Sequence, residues 1–517
     1  MNTKNTLLCV RYLFIAIALL LFATPGSFAQ NLFYFHDYSG DHLWSNPENW
    51  FERLKPSDAT AEVGIHTDVI IDEDVDILRI WDFTNCNMTI QSGKKLTVRE
   101  SISWSLGGII ILEDGAQLLH QEYYLAAKVQ KNVKAYDTDT HRWDLIASPI
   151  VEDVVPSIEN GLLTEPESGF ALYTYNEESH LWTNYKETPF SISNGYGYLY
   201  ANSLDTTIAF FGNVRSCTAP AEIPLSYHTN NSNLAGCNLV GNPFPCNAFV
   251  DKSYYILSEN SNSLIAVALS SHTPISPCLG IIVKAEEANE TVTLCHESPQ
   301  TSEHQGYIEI TAAKSNAQNL ILDQALLSFN VGDDLSKLAL YEDAPSIYFT
   351  KENRDLAILS IDSTGMLPLK FKAVEDGSYT LHFEPKDVSL SYLHLIDNIT
   401  GINVDLLSTP NYTFNATSND YASRFKLVFD PHYGIEEDGT STISETFAYY
   451  ANGEIIINDV ETSHSTSLQI IDMMGHVVVT HIGDAINRVS TNGLAKGVYV
   501  LRLNTADGIQ MQKIVIH

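Results

Sequence analysis

Positive charge is scarce in this sequence. Its 29 lysines and arginines face 63 aspartates and glutamates, leaving a formal net charge of −34 at pH 7. A surface of that sign repels phosphate backbones and anionic headgroups, so nucleic acid and anionic membrane are excluded as partners. Apolar runs are confined to the N-terminus: after Phe22 nothing approaches the about 18 apolar residues that a spanning helix needs, and the mature chain is expected to have no transmembrane helix. Motifs that announce catalysis are also missing. There is no G-x-S-x-G elbow, no H-E-x-x-H, no P-loop and no dinucleotide glycine fingerprint, and His296-Glu297 lacks a second histidine. No C-x-x-C occurs, which argues against zinc ribbons and thioredoxin-type chemistry. The sequence thus offers no catalytic residue, no metal ligands and no cofactor site. A cysteine peptidase is still open, but structural cysteines are the better reading of the six that follow residue 29.

What the chain has in quantity is short β-branched and aromatic runs punctuated by Gly, Asn and Asp, the pattern of an all-β protein. Its 517 residues suffice for roughly three or four domains. Lys4 and Arg11 precede the apolar run Tyr12 to Phe22, and Ser27-Phe28-Ala29 supplies a small-x-small triplet. These are the parts of a signal peptide over residues 1–29, cleaved between Ala29 and Gln30. Cys9 stands before the apolar run rather than after it, which argues against a lipid anchor. Five of the remaining cysteines, Cys217, Cys237, Cys246, Cys278 and Cys295, crowd one stretch, with Cys86 apart. In an oxidising compartment these five are candidate disulfide partners, and the sequence does not choose among the pairings.

Over residues 30–125 apolar residues flank a turn residue at regular spacing: Ile71, Asp74, Ile77, then Ile90, Gly93, Leu96, then Leu112, Gly115, Leu118. The turn residues are 19 and 22 apart, as the rungs of a β-helix require, so all six apolar residues are expected in one stacked core. A sandwich of hairpins is the alternative. Ahead of the rungs, Trp44 and Trp50 bracket Asn-Pro-Glu-Asn in a W-x-x-x-x-N-W segment. This resembles the opening motif of secreted bacterial β-helix-like domains and is expected to cap the solenoid end. The acidic run Asp72 to Asp76 lacks the glycine and spacing of a calcium loop and reads as a solvated turn edge.

The middle is duplicated. Trp143 to Ile150 (WDLIASPI) recurs 94 residues later as Cys237 to Phe244 (CNLVGNPF), and Gly197 to Phe210 matches Gly280 to Leu294 loosely. Two related β-lobes follow, over 126–216 and 217–300, with Leu145 and Leu239 at equivalent buried positions. Tyr196, Tyr198 and Tyr200 alternate on one expected strand and are candidate binding aromatics, with cross-strand packing as the bland alternative. Residues 301–430 carry regular short strands of a β-sandwich, and the polar stretch 431–444 is an exposed acidic linker.

Residues 445–517 close the chain with Leu468 to Asp472, a turn with Asp472 and Gly475, a second turn glycine at Gly497, the strand Val498 to Leu503 with Tyr499 expected near its less buried face, and a last strand with Lys513. This order resembles the type A C-terminal sorting domain of proteins exported by the type IX secretion system. The resemblance implies a small β-sandwich domain and export through the periplasm to the outer surface or medium. It further implies engagement of the type IX machinery and its sortase, removal of the domain, and attachment of the body to lipopolysaccharide. The whole chain is thus expected to be all-β and multidomain: a short β-helix-like region, β-sandwich lobes, and the sorting domain. For the body, adhesion or binding of a glycan or host protein is the first expectation. A secreted glycoside hydrolase or peptidase is the alternative, since β-helices can host paired carboxylates.

Overall fold

The structure, a computed structural model, describes residues 32–516 except 105–106, 137–141, 167–168, 229–233, 259–262, 299–305, 318–319, 331, 339–343, 362–364, 433–447, 452–453, 458–465, 473–474, 484–487 and 506–507. The expected signal peptide with Ala29 and Gln30, and the linker beyond residue 432, lie outside the described residues. Among those described, strands dominate and no α-helix occurs. The chain divides into two compact units: Met1–Ser363 with Pro368–Val388 and His394–Lys426, and Thr364–Leu367 with Ser389–Leu393 and Leu427–His517.

In the first unit, short strands pair in parallel into three stacks. One holds Leu32–Phe35, Glu62–Ile65, Arg79–Phe83 and Ile102–Trp104; the second Val75–Ile77, Lys95–Val98 and Gln117–Leu119; the third Val69–Ile71, Asn87–Ile90, Ile109–Leu112 and Leu125–Val133. Equal spacing along the chain sets the register. Ile71, Ile90, Leu112 and Val129 lie opposite one another down the third stack, and Val75, Leu96 and Leu118 down the second. All are buried in one core with Ile77. Ile77 faces Val98 rather than Leu96, an offset of two residues that keeps it on the core face. Gly93 and Gly115 turn the chain with φ of 71° and 73°, while the carboxylate of Asp74 accepts the Lys95 N–H at 2.9 Å. The tryptophan segment lies on the first rung: Trp44 N–H donates to Ile70 O at 2.8 Å, and Ile70 N–H to His42 O at 2.7 Å. Trp44 and Trp50 pack edge to face at 4.5 Å, and Trp50 Nε1 donates to Trp44 O at 2.9 Å.

The duplicated segments share one strand order. Asp144–Ala147, Phe170–Asn176, Leu181–Asn184 and Gly197–Asn202 form a sheet in spatial order first, fourth, second, third; Cys237–Gly241, Tyr254–Leu257, Leu264–Val267 and Gly280–Lys284 repeat that order. The first segment is not separate from the rungs. Leu125–Val133 pairs in parallel with Ile109–Leu112 on one side and antiparallel with Thr206–Val214 on the other, so a boundary at residue 125 falls at the head of a shared strand.

Residues 307–432 form one continuous sheet of eleven strands, in which Ile321–Ser328 and Arg354–Ser360 run parallel. The sheet rolls back on itself. Phe371 packs at 5.2 Å on Phe414, and Phe414 at 4.9 Å on Phe425, although Asn411–Ala416 ends the opposite side of the strand order. The expected two-sheet sandwich is therefore a single curled sheet over this aromatic core. Leu326, Leu335 and Ile358 of this sheet share a core with Leu145, Cys237, Tyr255 and Ile282 of the duplicated segments.

Candidate functional site

The two lobes meet about a local two-fold axis. Ala147 N–H donates to Cys278 O, and Gly241 N–H to Gly195 O, both at 3.0 Å; Ile146 bridges Leu279 as Val240 bridges Tyr196. Exchanging the lobes converts each contact into the other. The approach is close enough to require glycine: a Cβ on Gly241 would lie 2.5 Å from both Ala147 Cβ and Tyr196 O. Beside this axis opens a cleft of about 90 Å³. Equivalent positions line it in pairs, Leu145 with Leu239, Leu199 with Ile282, Trp143 with Cys237 and Tyr175 with Leu257, joined by Trp182, Leu234 and Leu338. Leu145 is buried but Leu239 is only half-buried, because its side chain faces this opening. Trp182, 41% exposed, stands at the mouth and tilts against Tyr175 at 5.0 Å. No charged group is among the eleven lining residues.

A buried carboxylate straps one wall of the cleft. Glu177 accepts from the N–H of Gly236, from the N–H and Nδ1 of His228 and from Ser226 Oγ, at 2.6–2.9 Å. It thereby holds the segment that carries Leu234, whose carbonyl also takes the Tyr175 hydroxyl at 3.4 Å. Burial alone would raise the pKa of Glu177; the four hydrogen bonds overcome it and pull it down to about 2. The bond to Glu177 raises that of His228 against a smaller opposing desolvation. The depressed carboxylate stabilises the fold fully above its unfolded pKa of about 4.3 and loses that contribution as pH falls towards 2. The raised imidazole stabilises fully below about 6.5 and loses its contribution as pH rises through its folded value. Glu177→Gln is expected to cost about 2–3 kcal/mol near pH 6. Denaturant midpoints compared across pH should show that gap narrowing on both the acid and the alkaline side.

The other residues singled out in sequence are scattered. Tyr198 and Tyr200 are core residues with hydroxyls on Ser191 O and Gly161 O, and only Tyr196, ahead of the strand, is exposed at 46%. The alternating row is hence no flat binding face, because its shared side is the inner one. Cys217 and Cys246 have their sulfurs 3.0 Å apart. Cys86 sits in the rung core, Cys237 on the cleft wall, Cys278 at the lobe junction, and Cys295 is half-buried with Sγ on Glu297 O. The acidic run binds protein groups: Asp72 takes Ser45, Glu73 pairs with Lys55, and Asp76 grips Arg99 in two bonds. Buried carboxylates elsewhere have partners of their own, Glu62 with Arg79, Asp323 with Lys337, Asp333 with Ser270 and Ser328, and Asp397 with Arg424. Among the described residues no group of three or more potential metal ligands converges.

Within the second unit, the described residues from Ala448 onward form two sheets: Ala448–Ala451, Glu454–Ile457 and Arg488–Ser490, against Thr466–Asp472, Val477–Gly483, Gly497–Thr505 and Gly508–Ile516. Ile455, Ile457, Leu468, Ile470, Leu501, Leu503, Ile514 and Ile516 fill the space between them. Asp472 holds the turn, its carboxylate accepting the His476 N–H at 2.8 Å and its carbonyl the Gly475 N–H at 2.9 Å, with Gly475 at φ 81°. Tyr499 belongs to the core face with Leu501 and Leu503, not to the opposite face, and its hydroxyl donates to Ala495 O at 2.8 Å. Gly497 is the first residue of its strand, opposite Ile516, and has no positive φ. Lys513 lies opposite Val500, exposed, with its ammonium 5.6 Å over the Tyr392 ring.

Residues 451–517 match the secretion system C-terminal sorting domain. The chain carries a type IX sorting domain. It is accordingly a secreted or cell-surface protein that engages the type IX secretion machinery, and no helix among its described residues is long and apolar enough to cross a membrane. Upstream of the sorting domain, residues 37–276 match a domain of unknown function, DUF8693. That match runs from the tryptophan segment through the first lobe and into the second, stopping before Gly280–Lys284, and includes every cleft residue except Ile282 and Leu338. No curated protein matches the chain. Sequence reasoning missed the cleft, although its signal was present: Trp143 and Leu145 head one repeat where Cys237 and Leu239 head the other.

Proposed function

We propose that the exported body is a binding protein of the cell surface or its surroundings, and that it seats an apolar side chain of a partner protein in the inter-lobe cleft. The observation that carries this reading is the lining of the cleft. Three aromatic rings and a ring of leucines converge at the junction of two lobes, with the Tyr175 hydroxyl already engaged. Such a site stabilises an apolar group by removing it from water, whereas a sugar would leave its hydroxyls without partners there. Hydrolysis is the weaker reading because each buried carboxylate named above is already engaged by a cation or by hydroxyls of the protein, which leaves it unsuited to acid–base exchange with a substrate.

The route and the architecture belong to the same proposal. The parallel stacks with register kept rung to rung support a short β-helix over 30–125, and the repeated strand order supports lobes over 126–216 and 217–300, followed by a β-domain over 301–430, a linker over 431–444 and the sorting domain over 445–517. The signal peptide would bring the chain to the periplasm. A sortase would then remove the sorting domain and join the body to lipopolysaccharide, so that mass spectrometry of the surface form finds peptides up to Asp430 but none from Leu468 onward.

A titration of the purified chain with anilinonaphthalene sulfonate, followed by its fluorescence, tests the cleft. One saturable site is expected, displaced by N-acetyltryptophanamide and abolished in Leu239→Glu and Trp182→Ala with unchanged thermal midpoints. Displacement by methyl glucoside in place of the tryptophan amide would turn the assignment to a glycan. Equal binding by wild type and variants would remove the cleft as the site.

A further inference from the structure

We infer that Cys217 and Cys246 form a disulfide in the exported protein. Their sulfurs lie 3.0 Å apart with both residues buried, so about 1 Å of closure reaches bonding distance. The backbone holds them there through a third element, the last rung. Cys217 N–H donates to His120 O at 3.3 Å and its thiol faces Leu118 O at 3.6 Å, while Leu118 N–H donates to the carbonyl of Pro245, the neighbour of Cys246. Both cysteines belong to the core of the second lobe. The remaining cysteines have other surroundings: Cys86 faces Ile65 O in the rung core, Cys237 the cleft, Cys278 the lobe junction, and Cys295 the carbonyls of Glu297 and Phe249.

The compartment supplies the chemistry. A chain bound for the type IX machinery crosses the periplasm, where thiol oxidases carrying a reactive disulfide work. One cysteine thiolate attacks the oxidant's disulfide and expels one of its sulfurs as thiolate. The second cysteine then attacks the mixed disulfide, which releases the oxidant as a dithiol and leaves the new bond. Two protein thiols are oxidised, one oxidant disulfide is reduced, and the two protons pass to the oxidant's sulfurs. The hydrogen bond with the Cys217 sulfur, and after it burial, pushes the Cys246 thiol well above its ordinary pKa, so the exchange belongs to the folding chain, before the lobe closes.

The exported protein, unfolded in guanidinium with iodoacetamide and no reductant, then digested, provides the test. Mass spectrometry should find the peptides of Cys217 and Cys246 joined and two hydrogens lighter than their reduced sum, with the other cysteines alkylated. Alkylated Cys217 and Cys246, or either one joined to a different cysteine, would overturn the assignment. Thermal melting gives an independent reading. Reductant should lower the wild-type midpoint by several degrees, to that of the Cys217→Ser/Cys246→Ser chain, which itself should not respond. A wild-type midpoint indifferent to reductant under conditions that reduce all disulfides would count equally against the bond.

Discussion

Cells producing a chain that stops at residue 444 are expected to hold all of it inside the outer membrane, with surface and medium at background. The rung core, the second-lobe core and the core shared with the curled sheet all lie upstream of that point. What the truncation removes is the two-sheet domain that matches the sorting domain, with its Asp472–Gly475 turn and Tyr499 strand. Fractionation with an antibody to the body distinguishes the outcomes. Normal surface abundance of the truncated chain would end the sorting role, and its absence from every fraction would indicate degradation, which a protease-deficient strain separates from failed export. A finer variant, Tyr499→Ala, should reduce export partway, since it opens a cavity in the sorting-domain core and removes the bond to Ala495 O.

The largest single-residue loss of stability is expected at Arg424. Its guanidinium is buried, donates to both oxygens of Asp397 at 3.1 and 2.7 Å and to Asn415 O at 2.6 Å, and lies 4.5 Å over the Phe414 ring. Asp397 also takes the Tyr412 hydroxyl at 2.8 Å. Arg424→Met leaves that carboxylate buried without its cation, at a cost of about 3–5 kcal/mol. Asp397→Leu with Arg424→Met should recover most of it, because the one carboxylate then left without Arg424, Asp420, is partly in solvent. Burial would raise the pKa of Asp397, but Arg424 and Tyr412 lower it overall. The pair therefore stabilises fully above the unfolded carboxylate value of about 3.9 and fades as pH falls through the lower folded value. Guanidinium midpoints of wild type and variant should converge in acid. A gap that persists unchanged at the lowest pH would show that packing against Phe414, not charge, makes the contribution.

The spacing of Ile71, Ile90 and Leu112 was enough to place these residues opposite one another, since a stack of short strands can bury its inward residues only if successive turns are of nearly equal length. The 94-residue repeat likewise marked two segments whose sheets share one strand order. Other features depended on contacts that a linear pattern does not encode. Alternation correctly puts Tyr198 and Tyr200 on one face of a strand, but it cannot say that Ser191 and Gly161 cover that face. Gly497 looked like a turn residue because glycine usually is one, whereas here it opens a strand opposite Ile516. The cleft needs side chains from both repeats and from Leu338 of the curled sheet. No local window contains those residues together.

The matched hydrogen bonds of Ala147 and Gly241 have a bearing on life outside the cell. Two halves that recognise each other through the same surface would, as separate chains, associate only as tightly as their concentration allows. A protein released into the surroundings is diluted without limit, and such a pair would come apart along with anything built at its seam. Joining the halves in one polypeptide fixes each at a local concentration on the order of millimolar relative to the other, whatever the volume outside. The seam beside Trp182 thus survives dilution that would dissolve a dimer.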